Sequence, residues 1–137
     1  MILADVRNAI VARWIAGAFG LTTFYQGKSW EPIAGTRHAR LFVLPAPTDG
    51  VALGNTGYDR LSGIAQVDLM YPPNQGDATI LAKADAVAAY FQRGQSQTSG
   101  SASVQFRGTS IGQTADVDGW LRCIVTINWF ADYNRSV

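Results

Sequence analysis

The chain has one histidine, His38, and one cysteine, Cys123, far apart in sequence. These are the side chains most suited to nucleophilic or metal chemistry. A nucleophilic triad needs an imidazole or an equivalent base beside its nucleophile, and no serine here sits in a G-x-S-x-G turn. His38, in Arg37-His38-Ala39-Arg40, reads as a strand-end or surface histidine. A metal site needs several converging His, Cys, Asp or Glu ligands, more than one His and one Cys provide. Cys123, between Leu121 and Val125, reads as a small core residue. Asp116 and Asp118 precede Gly119 but lack the remaining positions of an EF-hand loop, so they read as a solvated hairpin turn. Gly54 to Gly57 and Gly108 to Gly112 have no Lys-Ser/Thr after them and open no helix, so neither is a phosphate loop. Arg37 and Arg40 near Phe42, and Arg107 after Phe106, read as scattered surface arginines rather than a stacking platform for single-stranded nucleic acid. The residues therefore predict no catalytic group, no cofactor and no metal site.

The elements that carry these residues follow from periodicity. Residues 2–16 read as a helix, with Leu3, Val6, Ile10 and Trp14 on one face and Gly17 and Gly20 as stops. Residues 22–25 suit a short strand, and 28–33, with Trp30 and Pro32, an irregular or edge segment. Residues 39–45 form a strand, 48–57 hold turn signals, and 58–71 alternate as a strand stopped by Pro72-Pro73. The clearest helix is 77–92. Asp77 stands at its start, Ile80, Leu81, Ala84, Val87, Ala88 and Phe91 form its apolar stripe, and Gly94 marks its end. Residues 94–101 read as a polar loop or hairpin tip, 102–107 as a strand and 108–119 as a turn-rich connection. In the strand 120–131, Leu121, Cys123, Val125, Ile127, Trp129 and Ala131 share one face; Arg122, Thr126 and Asn128 share the other. One helix between strand blocks, with no βα repetition, predicts an α+β fold: a largely antiparallel or mixed sheet with two main helices packed on it, as a single domain over 1–137.

Composition narrows the function class. The chain has 137 residues, is 47% hydrophobic and carries 11 basic and 10 acidic residues for a net charge of +1. A core is available, while a strongly electrostatic nucleic-acid binder or a polybasic membrane binder is disfavoured. Charged residues are only 15%, against about 25% in an ordinary domain, which fits a surface covered by partners. No signal-peptide pattern opens the sequence and no stretch reaches the ~20 residues that span a bilayer. The expectation is a product of a reducing, cytoplasmic compartment.

One feature leans toward assembly. Opposite the core stripe, the two best strands still carry Ile64, Met70, Ile124 and Phe130. Either the first helix covers that face, the first expectation, or another subunit does. Trp30 and Trp120, in or beside connecting segments, could anchor a partner or pack locally. These six residues are the candidate subunit interface.

The ordered segments "ADVRNAIVARW", "ARLFVLP", "YDRLSGIAQVDLMYPPNQGDATILAKADAVAAYFQRG" and "GWLRCIVTINWFADY" are similar to tail terminator (tail completion) proteins of long-tailed bacteriophages and prophages. The shared pattern is G-x-x-Q-V-D-x-x-x-P, here Gly63, Gln66, Val67, Asp68 and Pro72, followed by an Ala-rich helix ending at Phe91 and Gly94. The resemblance implies a structural virion protein: a hexameric ring on the head-proximal end of the tail tube that stops polymerisation and offers a surface for head joining. The implied partners are further copies of the chain, the major tail tube protein, head–tail connector or neck proteins and the tape-measure protein. DNA would pass through the lumen without specific binding, and no membrane would be involved. The competing readings are a head–tail connector or head-closure protein, and a small ligand-binding module.

Overall fold

The computed structural model describes residues 3–46, 49–50 and 58–134. The chain runs α1 (Leu3–Ala16), β1 (Thr22–Tyr25), β2 (His38–Pro45), β3 (Asp49–Gly50), β4 (Tyr58–Tyr71), α2 (Ala78–Tyr90), β5 (Ser96–Ser99), β6 (Ala102–Ile111), β7 (Ala115–Val117) and β8 (Trp120–Asn134). Among the described residues these strands make one eight-stranded sheet in the order β1-β2-β4-β8-β6-β5, with β3 on β4 and β7 on β8. Only β1–β2 is parallel, so the sheet is mixed and the fold α+β, as the periodicity predicts.

The longest pairing, β4 against β8, joins the two strands whose alternation is clearest in the sequence. Their apolar sides, including Val67, Leu69, Cys123, Val125 and Trp129, enter one buried cluster with Val6, Ile10 and Trp14 of α1 and Ile80, Ala84 and Val87 of α2. Both helices thus lie on the same side of the sheet. α1 touches both ends of the strand order: Trp14 Nε1 donates to Thr23 Oγ1 at 2.8 Å, and Asp5 Oδ2 accepts from Ser101 N at 3.1 Å. The sheet therefore curls around the helices and leaves a convex outer face. This corrects the first expectation for that face, because α1 fills the concave side. The apolar stripe of α1 needs the concave surface, since Val6, Ala9 and Ile10 are fully buried there.

Several boundaries move. β6 continues through Arg107 to Ile111, with an extra residue between Phe106 and Gly108. This bulge shifts the alternation by one residue and hides the strand from a period-two reading. The stretch 108–119 therefore holds the end of β6 and all of β7, and the polar segment 94–101 holds β5 and its hairpin turn. Asp118 and Gly119, both at positive φ (52° and 81°), make the two-residue turn of the β7–β8 hairpin. Asp77 occupies the N-cap position of α2, but its side chain makes no cap hydrogen bond. Leu81, placed on the apolar stripe of α2 by its sequence position, is 37% exposed. Of the turn signals at 48–57, Asp49-Gly50 forms β3 and the segment Gly54 to Gly57 lies outside the described residues.

Two polar ties lock the concave layer. Arg13 Nη2 donates to the Tyr90 carbonyl at the end of α2 (2.5 Å) and to Gln95 Oε1 (3.2 Å), with its guanidinium 4.1 Å from the Tyr90 ring centroid. A cation at a helix C-terminus meets the negative end of the helix dipole. Phe91 stands edge-on to Phe106 at 5.2 Å and carries the helix end onto β6.

Gly63 has a different function. A Cβ there would strike the Leu44 carbonyl oxygen and lie 2.9 Å from Pro45 Cα and 3.0 Å from Trp129 Cζ2. The obstacle is largely backbone of β2, which cannot rotate away. Gly63→Ala is expected to destabilise the fold by about 2 kcal/mol, the order found for overpacked interiors. A urea melt that leaves the midpoint unchanged would refute this account of the glycine.

Candidate functional site

The convex face has two halves of different character. At one end the chain between β1 and β2 folds back and lays Trp30 over the strands. Trp30 Nε1 donates to His38 Nε2 at 2.9 Å, and His38 Nδ1 lies 3.2 Å from the Thr36 carbonyl. An Nε2 that accepts leaves the proton on Nδ1, so the geometry assigns a neutral imidazole donating to Thr36. Phe24 and Trp120 both stand edge-on to the ring, at 5.4 and 4.6 Å.

Beneath Trp30 lies a charged chain. The Arg40 guanidinium sits 4.4 Å from the Trp30 ring centroid and donates from Nη2 to Asp68 Oδ2 at 3.0 Å. Gln66 Nε2 donates to Asp68 Oδ1 at 2.8 Å. Asp68 is only 2% exposed, and both carboxylate oxygens are held. A buried charge persists only when paired in this way. His38 is 1% exposed, so the reading of a surface histidine is corrected: it begins β2 as expected but lies under Trp30 and Trp120. Desolvation pushes its pKa below the ordinary 6.5, the Thr36 carbonyl opposes that shift, and the Arg40 charge adds to it.

Three of the six candidate interface residues belong to this end. Met70 is fully buried, Trp120 is 8% exposed, and Trp30 is half-buried against Arg40 and His38. Trp30 and Trp120 pack on the His38 ring, and Met70 is the register partner of His38 on β4. The other three are each half-buried: Ile64 and Phe130 lie on the open half, and Ile124 stands at its border, opposite Asp68 in the β4–β8 register. Phe130 is held between two guanidinium groups, Arg60 at 4.4 Å and Arg107 at 4.5 Å. Arg60 also grips Asp132 through Nε (2.7 Å) and Nη2 (3.0 Å). Leu44 adds exposed apolar surface beside Ile64, its register partner. A hollow of about 390 Å³ opens here, bounded in part by Ser62, Ile64, Arg107 and Asn128.

The sequence reading missed Arg107 as part of this face, although it continues the outward alternation of Ser103 and Gln105; its place beside Phe130 comes from the β6–β8 pairing. It also missed the Arg40–Asp68 pair, whose members are 28 residues apart and meet only through the β2–β4 register. Cys123 is buried as expected, and burial raises its thiol pKa. The described residues hold no group of three or more His, Cys, Asp or Glu side chains placed to share a metal ion, and no helix among them is long and apolar enough to cross a membrane.

A model of the phage tail terminator protein family matches residues 5–129. No curated protein matches the chain. Seven solved chains do. One superposes with a TM-score of 0.70 at 23% identity, over 92% of this chain and 92% of its own. At that identity the likeness concerns the fold.

The single imidazole makes the Trp30 clamp measurable. A folded-state pKa below 6.5 means that the unfolded chain binds the proton more readily. Stability from the neutral ring is therefore complete above 6.5 and is lost as pH falls through the folded-state value. Titration of the His38 ring resonances by NMR is expected to show a midpoint below 6.5. Trp30→Phe, which removes the N–H donated to Nε2, is expected to move that midpoint upward. An unshifted midpoint in the wild-type chain would contradict the buried neutral ring.

Proposed function

The chain belongs to the phage tail terminator family, whose members are structural proteins that complete bacteriophage tails, and from that premise we propose that six copies close into a ring on the head-proximal end of the tail tube. The ring covers the growing surface and ends tube polymerisation at the length set by the tape-measure protein. Its other side offers neck proteins a surface for joining the head. Assembly takes place in the host bacterial cytoplasm, and DNA passes through the lumen without specific contacts.

The observation that supports ring contacts is the open half of the convex face. Ile64 and Phe130 remain half-buried there, with Ile124 at its border, while both helices are used on the concave side. Apolar residues between polar ones suit a subunit contact. A contact between two different patches closes into a ring when its rotation permits.

Electron microscopy of particles assembled with and without the protein tests the role. Over-long tubes and unjoined heads in its absence are the expected result. Tails of normal length that merely fail to join heads would favour a connector, and normal virions would end the structural reading. For the contact itself, Ile64→Asp, opposite Leu44 and Asn128 and away from Asp68, is expected to leave the thermal unfolding of the subunit nearly unchanged. The same change would weaken ring formation by at least about a hundredfold, since an unpaired carboxylate buried at an interface costs several kcal/mol. A variant that simply unfolds would make this face internal and remove it as the contact.

A further inference from the structure

We infer that the open half of the convex face receives the outward side of α2 from a second copy of this chain, with Leu81 seated in the hollow beside Ile64 and Asp85 paired with Arg107. The inference rests on the ring reading and names the two surfaces that would meet.

The first support is shape. α2 buries Ile80, Ala84 and Val87 inward, yet Leu81 stands 37% exposed on its outward side. Asp85 follows four residues later, on the same side of the helix and exposed. Flanking Ala82 and Ala86 are small and exposed, so nothing holds the helix axis away from a neighbour. A 13-residue helix is about 20 Å long, and β4 from Arg60 to Gln66, clear of the Trp30 clamp, spans about 20 Å as well.

The second support is charge. On the convex face Arg40 is paired with Asp68, and Arg60 with Asp132. Arg107 has no ion-pair partner among the described residues, so the open half keeps one uncompensated cation. The exposed side of α2 presents the carboxylate of Asp85. Arg107 borders the hollow itself, which places a cation one helical turn from the site offered to Leu81.

The third support is direction. α2 and the convex face lie on opposite sides of the sheet. A contact that uses one of each is head-to-tail, the kind that extends until it closes. A face packed on its own copy would stop at a dimer.

The test is disulfide trapping with Leu81→Cys and Ile64→Cys in one chain, the native Cys123 being buried. Oxidation is expected to give a ladder that extends beyond dimer, while each single-cysteine variant stays at background. Asp85→Arg in the double-cysteine chain is expected to cut the cross-linked yield about tenfold, and adding Arg107→Asp to restore it. Thermal melts confirm that every variant folds. Yield at background in the double-cysteine chain, or a charge reversal that is not rescued, overturns α2 as the partner. If Ile64→Asp still abolishes rings in that case, the ring reading survives alone. A wild-type chain that forms no ring on tube ends overturns both.

Discussion

A carboxylate removed from water must be held on every side, and Asp68 is the residue where this fold meets that requirement. Its two oxygens bind Arg40 on the neighbouring strand and Gln66 on its own. Arg40 in turn supports the Trp30 ring, and Trp30 donates to His38. One buried charge thereby sets what β2, β4 and the segment between β1 and β2 can do. Loss of one partner would leave the others buried without compensation, which is more costly than never having made the pair. The convex face is therefore divided, with one end sealed by the chain itself and the other left open.

Gly63 and Arg107 shape that open end. Without a Cβ at position 63, the β2 backbone approaches β4 closely above Trp129. On β6, Arg107 continues the outward alternation of Ser103 and Gln105 and lies over Phe130, the ring that Arg60 also touches. Two cations around one aromatic ring hold Phe130 in place without hiding it. Rigid, half-covered aromatic surface of this kind loses little side-chain entropy on association.

Much of the fold was legible because β4 and β8 alternate so regularly that a one-residue slip would expose the core. α1 and α2 were equally plain from their apolar spacing. The fate of the convex face was not. Whether α1 covers it depends on sheet curl, which no local pattern encodes. Met70 and Trp120 occupy the same side of their strands as Ile124, yet the first two are buried and the third is half open. The pattern Gly63, Gln66, Val67 and Asp68 was visible as a motif. Its meaning needed the register, because close approach, hydrogen bond and ion pair all reach across to β2 or along β4. Leu81 shows the limit of helical periodicity: its neighbour Ile80 takes the inward position, and the two cannot share it.

Beside the local Trp14–Thr23 bond, the polar contacts that seat α1 come from the far half of the chain: Asp5 meets Ser101, and Arg13 meets Tyr90 and Gln95. During synthesis the first helix emerges about ninety residues before its docking surface exists. At roughly 5–20 residues per second, that leaves it exposed for on the order of ten seconds. The first segment made thus completes its docking only after most of the chain has followed it. Packing of α1 against β5 and β6 marks a finished monomer, so a truncated or stalled chain would present a sheet whose concave side is still open.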